Sequence, residues 1–395
     1  MKKVALLIES SRSYGRGVLE GIAAYVRTHR NWSLRHQEMS IDAEPPTWLS
    51  DWQGDGILAR IETKKMVKAI RELGIPTVDV RCTTQINGVP RINVDDDRVV
   101  QLAINHLRDL GIRRFAFCGF AHVHYSVRRL QLFREHLRKD AIHAAVYESI
   151  VPKSSTTMEA ELAGMLDDSG LTQWLQQLEK PVGLLASNDI RARQILQCCE
   201  DIGIAVPDDI AVIGVDNDEV ICSLSRPSIT SIQPDTQRIG YDAAAMLDRM
   251  MDGGSAPGDL TLIPPKEVIV RGSTDVVAIE DRLTATAYRH LREHACDGTP
   301  VNRIIDNLPL SRRSLERRIR GHFGRSPSEL ITEIRLKELK RLLEETDLPL
   351  KGISGLTGFS HNEHMTVFFR KQVGQPPGKY RKERKSIHDR SKQIQ

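Results

Sequence analysis

The stretch LSRRSLERRIRGHFGRSP, residues 310–327, has the pattern of a capped amphipathic helix that follows a tight turn. Ser311 can accept a hydrogen bond from the free amides of a helix's first turn. One face of this helix is apolar, with Leu315, Ile319 and Phe323. A preceding apolar helix face ends at Pro309 and consists of Val301, Ile304, Ile305 and Leu308. Helix, turn and capped helix together predict a helix-turn-helix unit.

The same order of elements recurs in LPLKGISGLTGFSHNEHMTVFFRKQV, residues 348–373. Ile353 and Leu356 predict a short helix that ends at Gly358. Ser360 is the expected cap of a last helix, whose inward side chains are Met365, Phe368 and Phe369. Between the two units, a long amphipathic helix over 331–345 turns leucines inward at Leu336, Leu339, Leu342 and Leu343. The sequence therefore predicts an all-α domain with two helix-turn-helix units.

Both second helices carry a polar face that suits the major groove of DNA. The outward residues of the first are Arg312, Arg313, Glu316, Arg317 and Arg320. Those of the second are Asn362, Glu363, His364 and Thr366. Arginine bonds guanine or phosphate, asparagine suits adenine and glutamate suits cytosine. We expect the basic residues near the end of the chain to contact the DNA backbone: Lys379, Arg381, Lys382, Arg384 and Lys385. The alternative is a solvated charged face on a small helical bundle.

The charge of the chain is divided unevenly between its two parts. Residues 280–395 hold 24 Lys and Arg against 15 Asp and Glu, whereas residues 1–279 hold 32 against 37. The formal net charge of +4 thus combines an acidic body with a basic C-terminal part. A basic domain favours a polyanionic partner, either nucleic acid or a membrane surface.

Residues from about 283 to 382 resemble the AraC/XylS family, through LSRRSLERRIRGHFGRSP and LPLKGISGLTGFSHNEHMTVFFRKQVGQPPGKYR. The resemblance implies two recognition helices in successive major-groove turns on one face of the DNA. It matches Arg313, Glu316 and Arg317 to base-reading positions of the first unit. It matches Asn362, Glu363, His364 and Thr366 to those of the second. Ser354 stands where the family usually has Ala, which is a mild packing change. Val367 stands where several members carry a base- or phosphate-contacting Arg, so the second unit is expected to read less sequence than the first.

Residues 1–270 alternate short apolar runs with amphipathic helical stretches. The expected strands are 3–8, 56–60, 76–80, 114–118, 182–186 and 210–215, and the expected helices are 17–28, 64–73, 99–110, 126–139 and 190–202. This alternation indicates βαβ units with parallel sheets covered on both faces. The length favours two lobes, with the change near residues 110–114. Ligands of such sheets bind at the carboxyl ends of the strands.

Three other features offer alternative sites. Gly15, Gly17 and Gly21 follow a strand, as in a dinucleotide-binding loop, but Glu20 occupies a glycine position of that fingerprint. The histidine pairs, His290 with His294 and His122 with His124, lack an evident third metal ligand. The sequence contains no P-loop, G-x-S-x-G or HExxH motif, and its six cysteines have no metal-ligand spacing. We therefore expect no cofactor, no metal and no catalytic residue.

Lobe two resembles the periplasmic-binding-protein-like effector domain of LacI/GalR repressors. The resemblance lies in VGLLASNDIRARQILQCCEDIGIAVPDDIAVIGVDND (182–218) and RPSITSIQPDTQRIGYDAAAMLDRMM (226–251). It implies a small ligand in the cleft between the lobes. A sugar needs donors and acceptors that can bind hydroxyl pairs. The candidates are Arg129, Asn188 and Asp216, then Asp189 and Gln233, with Tyr14 from lobe one. Alternatively, Asn188 and Asp216 cap helices.

The order of the two domains, sensor first and DNA-binding domain second, resembles the bacterial xylose-operon regulators. The expected boundaries are 1–272 for the two-lobed α/β domain, 273–283 for a linker, 284–384 for the DNA-binding domain and 385–395 for a basic tail. The resemblance implies a xylose or other pentose effector, a homodimer, a DNA operator and possible contact with RNA polymerase. A sugar-processing enzyme with a DNA-binding tail is the alternative. The apolar run Val4–Ile8 is too short for a signal peptide, so we expect a cytoplasmic protein without a membrane span.

Overall fold

The computed structural model describes residues 1–29, 32–149, 151–152, 155–166, 168–255, 258–275, 282–299, 302–303, 310–346 and 348–384. The chain forms two compact units, Met1–Val276 and Val277–Gln395. The predicted helix on Val301, Ile304, Ile305 and Leu308 lies outside the described residues, as do most of the predicted linker and the basic tail.

The first unit contains two six-stranded sheets. Its strands are β1 Lys2–Leu7, β2 Trp32–His36, β3 Gly56–Ala59, β4 Thr77–Asp79, β5 Arg91–Val94, β6 Phe115–Phe120, β7 Ala145–Ser149, β8 Val182–Ala186, β9 Ile210–Val215, β10 Thr230–Gln233, β11 Leu260–Ile263 and β12 Glu267–Ile269. Its helices are α1 Ser13–His29, α2 Lys64–Leu73, α3 Asp96–Asp109, α4 His124–Arg138, α5 Thr157–Leu166, α6 Asp168–Gln177, α7 Asp189–Asp201, α8 Glu219–Leu224 and α9 Thr236–Met251, with 3-10 turns at Thr47–Leu49 and Gly272–Thr274.

Sheet one has the strand order β11-β5-β4-β3-β1-β2, and sheet two has the order β12-β10-β9-β8-β6-β7. Every pair is parallel except β10 with β12. The central strands β6, β8 and β9 are wholly buried, as their continuous apolar sequences predict. The expected α/β class with parallel sheets is confirmed.

The chain changes lobe earlier and more often than the sequence indicated. α3 packs against α4, β9, β10 and β12, so it belongs to sheet two. The first crossing therefore follows Val94 and precedes α3, not near residues 110–114. α9 returns to pack on α1, and β11 then joins sheet one before β12 joins sheet two. These late segments complete both sheets through pairings distant in sequence.

The glycine run after β1 is explained by helix packing. Gly17 and Gly21 lie inside α1, where a Cβ would come within 2.0 Å of Thr236 Oγ1 and of the Gln237 carbonyl oxygen respectively. Gly240 of α9 meets the Val18 carbonyl oxygen in the same way. The absence of side chains lets the two helices cross with their backbones nearly in contact. This packing, rather than a phosphate-binding loop, accounts for the spacing.

The described helices of the second unit form two small cores on one long helix. They are α10 Arg282–His294, α11 Arg312–Phe323, α12 Pro327–Glu345, α13 Leu350–Leu356 and α14 Asn362–Val373, and residues 377–384 are also helical. Leu315 and Ile319 of α11 pack with Leu330 and Ile331. In the second core, Leu339 and Leu343 of the same long helix pack with Ile353, Met365 and Phe369.

Two helix starts in this unit were predicted from capping residues, with different outcomes. Ser311 accepts a hydrogen bond from the Ser314 amide at 3.3 Å, as expected. For α14 the cap is His361, which makes no side-chain cap bond, so the prediction for Ser360 is wrong. The strongest cap belongs to α12, where Ser326 and Glu329 bond each other's backbone amides and Pro327 occupies the first turn.

Candidate functional site

A cleft of about 740 Å³, including space that opens to solvent, lies between the two lobes of the first unit. Its walls come from loops and helix starts that follow the strands of both sheets, as expected for an α/β fold. Tyr14 follows β1, Arg60 follows β3, and Arg81 follows β4. From the other lobe come Tyr125 and Arg129 of α4, Glu161 of α5, Asn188 after β8 and Asp216 after β9.

Among the candidate ligand-binding residues that line the cleft, Asp216 has the side chain with the fewest hydrogen bonds to the described residues of the protein. Its carboxylate accepts no hydrogen bond from another residue that the structure describes, although its amide bonds the Ile232 carbonyl. Its φ angle of +107° is unusual for a residue with a side chain. Burial raises the pKa of Asp216 to about 6, and the positive charges of Arg129 and Arg60 oppose that rise. A half-buried carboxylate in a cleft that also holds Arg129 and Arg60 is well placed to accept hydrogen bonds from hydroxyl groups.

Arg129 and Asn188 are fixed by neighbours in lobe two. Arg129 donates from Nε to Asp96 at 2.8 Å and from Nη1 to the Ser187 carbonyl at 2.5 Å. Asn188 does cap a helix, since its Oδ1 accepts from the Arg191 amide at 2.9 Å. The amide nitrogen of Asn188 nevertheless faces the cleft network, donating to Tyr125 Oη and to Glu161 Oε1 at 3.0 Å. Both the capping and the cleft interpretations of Asn188 therefore apply.

The two weaker candidates of lobe two differ, since Asp189 is among the described residues that line the cleft and Gln233 is not. Both carboxylate oxygens of Asp189 bond protein groups, Ser231 Oγ at 2.6 Å and the Asp218 amide at 2.8 Å. Burial, and then the charge of Asp216, raise the pKa of Asp189 to about 8. Gln233 ends β10, pairs with Glu267 of β12, and is absent from the described residues that line the cleft.

Lobe one contributes more to the cleft than the sequence suggested. Tyr14 is buried and donates to Asn93 Oδ1 at 2.6 Å, while the guanidinium of Arg60 lies 4.7 Å from its ring centre. Arg12 and Arg81 also line the cleft but were not predicted. Arg60 and Arg81 follow strand ends, so the rule used for lobe two would have found them. Arg12 and Glu161 carry no such signal, because their contact joins residues distant in sequence.

Each cleft arginine has an acidic partner. The pairs are Arg12 with Glu161, Arg60 with Glu9, Arg81 with Glu62, and Arg129 with Asp96. All four carboxylates belong to side chains that are no more than 15% exposed. Asp216 adds a further carboxylate without a paired arginine. The charge of each guanidinium is therefore balanced by a nearby carboxylate, and its position is fixed by that ion pair.

In the second unit, α11 presents a basic outer face. Its predicted DNA-contacting residues are all exposed: Arg312, Arg313, Glu316, Arg317 and Arg320. Leu315 and Ile319 are fully buried on the opposite side, so the helix docks by one face and offers the other. Arg312 also donates to Asn302 at 3.1 Å. The first predicted recognition surface is therefore present as one continuous helix face.

α14 presents a different surface. Glu363 and His364 are exposed, whereas Asn362 and Thr366 are half-buried. The Asn362 Oδ1 atom is enclosed and accepts no hydrogen bond from the described residues. Val367 is 68% exposed in the middle of this face. The second helix thus offers fewer cations than α11, as the sequence indicated.

The remaining candidates do not form a site. His294 pairs with Asp297 at 2.7 Å and meets the His290 ring edge-to-face, with 4.5 Å between the ring centres. Within the described ranges, no group of three or more His, Cys, Asp or Glu side chains is arranged to hold a metal ion. Among the helices that the structure describes, none combines the length and apolar character needed to cross a membrane.

Comparison with known proteins agrees with both units. Residues 104–274 match a periplasmic binding protein-like domain, residues 305–383 a helix-turn-helix domain, and residues 3–93 the XylR N-terminal domain. The xylose operon regulatory protein of Haemophilus influenzae is 31% identical over 96% of this chain and 98% of that protein. That of Escherichia coli K12 is 30% identical over 96% of each. This chain belongs to the family of xylose operon regulatory proteins.

Solved structures support the same assignment. The structure of a xylose-binding transcription activator, XylR, has a TM-score of 0.80 at 29% identity and covers 96% of this chain and 98% of its own. A LacI family regulator from Enterococcus faecium covers 69% of this chain with a TM-score of 0.55 at 19% identity, a likeness of fold. As a member of the family, the protein is a sugar-sensing, DNA-binding transcriptional regulator, and that prediction is confirmed.

Proposed function

We propose that the protein binds xylose in the interlobe cleft and activates xylose-utilisation genes as a homodimer. The observation that carries the sugar assignment is the Asp216 carboxylate, which accepts no hydrogen bond from the described residues and lines the cleft together with the oriented guanidinium of Arg129. Tyr14 and Asn188 supply further polar atoms around the same space. The names of the relatives, which include a xylose-binding activator, support xylose among the possible sugars.

The charge of the cleft favours a neutral sugar over a sugar phosphate. Each arginine of the cleft already pairs with a carboxylate, and Asp216 adds negative charge. A phosphate group would need an arginine that is not already paired with a carboxylate. It would also be repelled by the carboxylates that surround the cleft. Sugar hydroxyls, in contrast, can donate to a carboxylate and accept from a guanidinium at once.

For DNA, we propose that α11 and α14 enter neighbouring stretches of the major groove. Arg313, Glu316 and Arg317 would read bases, while Arg312 and Arg320 would hold the register by binding phosphates. From α14 the proposed contacts are Asn362, Glu363, His364 and Thr366. The exposed faces and the basic charge of this part of the chain support this assignment.

The proposed regulation couples cleft closure to the spacing of two DNA-binding domains in the dimer, in the cytoplasm, with RNA polymerase as a further contact. A sugar can drive this change only if it binds the closed form more tightly than the open form. The family assignment supports a regulatory rather than a catalytic role, since the relatives are named regulators.

The sugar assignment is tested by calorimetric titration and thermal shift with xylose, arabinose, ribose, glucose and their phosphates. We expect xylose to raise the melting temperature, since ligand binding stabilises the folded form. Asp216→Ala should abolish the shift, whereas Asp51→Ala, on the exposed surface of the same unit, should retain it. A full shift in Asp216→Ala would place the site elsewhere, and a response to phosphates alone would overturn the neutral-sugar assignment.

The DNA assignment is tested on duplexes selected from a random pool by the full-length protein. Arg317→Ala should weaken specific binding about 5- to 150-fold, corresponding to about 1–3 kcal/mol for one bidentate base contact. Arg71→Ala, an exposed arginine of α2, is the control and should leave affinity unchanged. An unaltered affinity and footprint in Arg317→Ala would exclude Arg317 as a base reader.

A further inference from the structure

Helix α5 belongs to lobe two but bonds lobe one through three separate groups. The Met158 amide donates to Asp42 Oδ2 at 2.7 Å. The Thr157 hydroxyl donates to Glu62 Oε1 at 2.6 Å, and Glu161 accepts from Arg12 Nη2 at 2.5 Å. Lobe one thereby caps the start of a helix that lobe two carries.

Two of these contacts, those of Thr157 and Glu161, involve buried side chains, whereas Met158 is exposed. Thr157 is 5% exposed and Glu161 4% exposed, so both are removed from water where they meet the opposite lobe. Glu62 is itself held by Arg81, which fixes the acceptor of the Thr157 hydroxyl. If the lobes separated, water would replace these hydrogen bonds. Each lost hydrogen bond would then cost a modest net free energy.

Glu161 links this contact to the cleft. While Oε2 accepts from Arg12, Oε1 accepts from Tyr125 Oη at 2.8 Å and from Asn188 Nδ2 at 3.0 Å. Tyr125 in turn lies beneath the guanidinium of Arg129, with 5.4 Å between the Arg129 Cζ atom and the ring centre. One carboxylate therefore joins lobe one to the side chains of lobe two that line the cleft.

We propose that α5 is an interlobe clasp that sets the closure equilibrium of the cleft, and hence the affinity for the sugar. Asp42, Glu62 and Thr157 act in it as positioning residues, since none of them is among the described residues that line the cleft. The inference rests on the proposed function for its ligand. The clasp is made of protein groups alone, so it acts in the absence of sugar. It raises the fraction of protein in the closed form, which is the form that binds the sugar.

The apparent affinity of a ligand falls with the fraction of protein in the binding-competent form. Loosening the clasp therefore weakens sugar binding without removing any atom from the proposed sugar site. A side chain that served only folding would change stability and leave this affinity intact.

The test compares three variants of the full chain in calorimetric titrations with xylose. Thr157→Val removes the cross-lobe hydroxyl at nearly constant volume and should weaken binding about fivefold, the effect of one hydrogen bond of ordinary net strength. Thr157→Ser keeps the hydroxyl and should restore wild-type affinity. Thr172→Val is the matched control, because Thr172 lies in α6 of lobe two and makes no bond to lobe one within the described residues. It should leave the affinity unchanged.

Hydrogen exchange without sugar gives an independent readout. In Thr157→Val, amides at the cleft end of sheet one, in segments 59–62 and 79–81, should exchange faster, whereas Thr172→Val should leave these segments unchanged. If Thr157→Val changes neither the affinity nor this exchange, the clasp is refuted. If wild-type protein binds no xylose but Thr157→Val still speeds exchange in sheet one, the sugar assignment fails and the clasp stands.

Discussion

Asp216 brings backbone geometry and electrostatics together at one residue. A positive φ at the end of β9 turns the chain so that its carboxylate joins the cleft rather than the sheet. The charge is retained next to Arg129 and Arg60 despite burial. A carboxylate whose pKa lies near the working range makes ligand binding sensitive to pH.

We expect sugar affinity to fall as the pH drops below about 6. In the folded protein the pKa of Asp216 is raised from 3.8 to about 6, chiefly by burial and also by Glu161. The ionised form accepts hydroxyl groups, so below this pKa protonation competes with the sugar, by up to tenfold for each pH unit. The same shift means that Asp216 lowers stability as the pH rises from 3.8 through 6.

Titrations with xylose between about pH 5 and 7.5 measure this dependence, and Asp216→Asn should remove its slope. Asp79 is the competing titrating group, because burial also raises its pKa to about 6. Its oxygens, however, accept from backbone amides of Ile61, Arg81 and Cys82. A slope that persists in Asp216→Asn would assign the effect to another buried carboxyl group, Asp79 or Asp189.

At the scale of elements, the crossing of α1 and α9 shows how one sequence pattern supports two interpretations. Gly15, Gly17 and Gly21 resemble part of a phosphate-binding loop, but Glu20 argued against that interpretation. In the structure Gly17 and Gly21 pack against α9, whereas Gly15 packs against Glu9. The partner glycine, Gly240, is distant in sequence. The contact between the two helices could therefore not be predicted from the local sequence of α1.

Gly21→Ala should destabilise the first unit by about 2 kcal/mol, a typical cost of overpacking. The new Cβ would lie 2.0 Å from the backbone oxygen of Gln237, which no side-chain rotation can relieve. Gly321→Ala is the contrasting control, because a Cβ at this position of α11 would meet no atom within 4 Å beyond its own helix backbone. It should stabilise the second unit by about 0.5–1 kcal/mol, since alanine favours a helix. Denaturant unfolding that shows equal, small effects for both would contradict the close crossing.

The sequence predicted helices and strands well where the spacing of apolar residues agreed with the helix-capping residues and with the residues that end strands. α2, β8 and β9 have their predicted bounds, and the helices of the DNA-binding unit follow their apolar spacing. What failed depends on contacts between distant segments. β11 and β12 follow α9 and join different sheets, and their short sequences do not indicate which sheet each strand joins.

The same division holds for the cleft. Asn188 and Asp216 were found because they directly follow buried strands, and their placement needs little beyond the sheet. Glu161 has no such marker, since it lies within α5 and gains its role from Arg12, Tyr125 and Asn188. Predicting the role of Glu161 required the positions of both lobes, which are a property of the tertiary fold.

At the scale of the whole molecule, the two units divide sensing from DNA recognition. The first carries the cleft and an excess of acidic residues, and the second carries the exposed recognition helices and an excess of basic residues. An acidic sensing unit disfavours non-specific DNA binding by repulsion from phosphate, so contact with DNA is directed to the second unit.

Because each unit has its own core, xylose should stabilise them unequally. Calorimetric scans of the full chain should show two transitions, one for Met1–Val276 and one for Val277–Gln395. At a sugar concentration about a hundred times the Kd, the first should gain about 2.7 kcal/mol and rise by several degrees. The second holds no part of the cleft and should stay in place, whereas selected duplex DNA should raise the second alone. If xylose moves both transitions equally, the units unfold as one cooperative body and the sugar signal reaches the DNA-binding unit through a shared stability, not through a change in spacing.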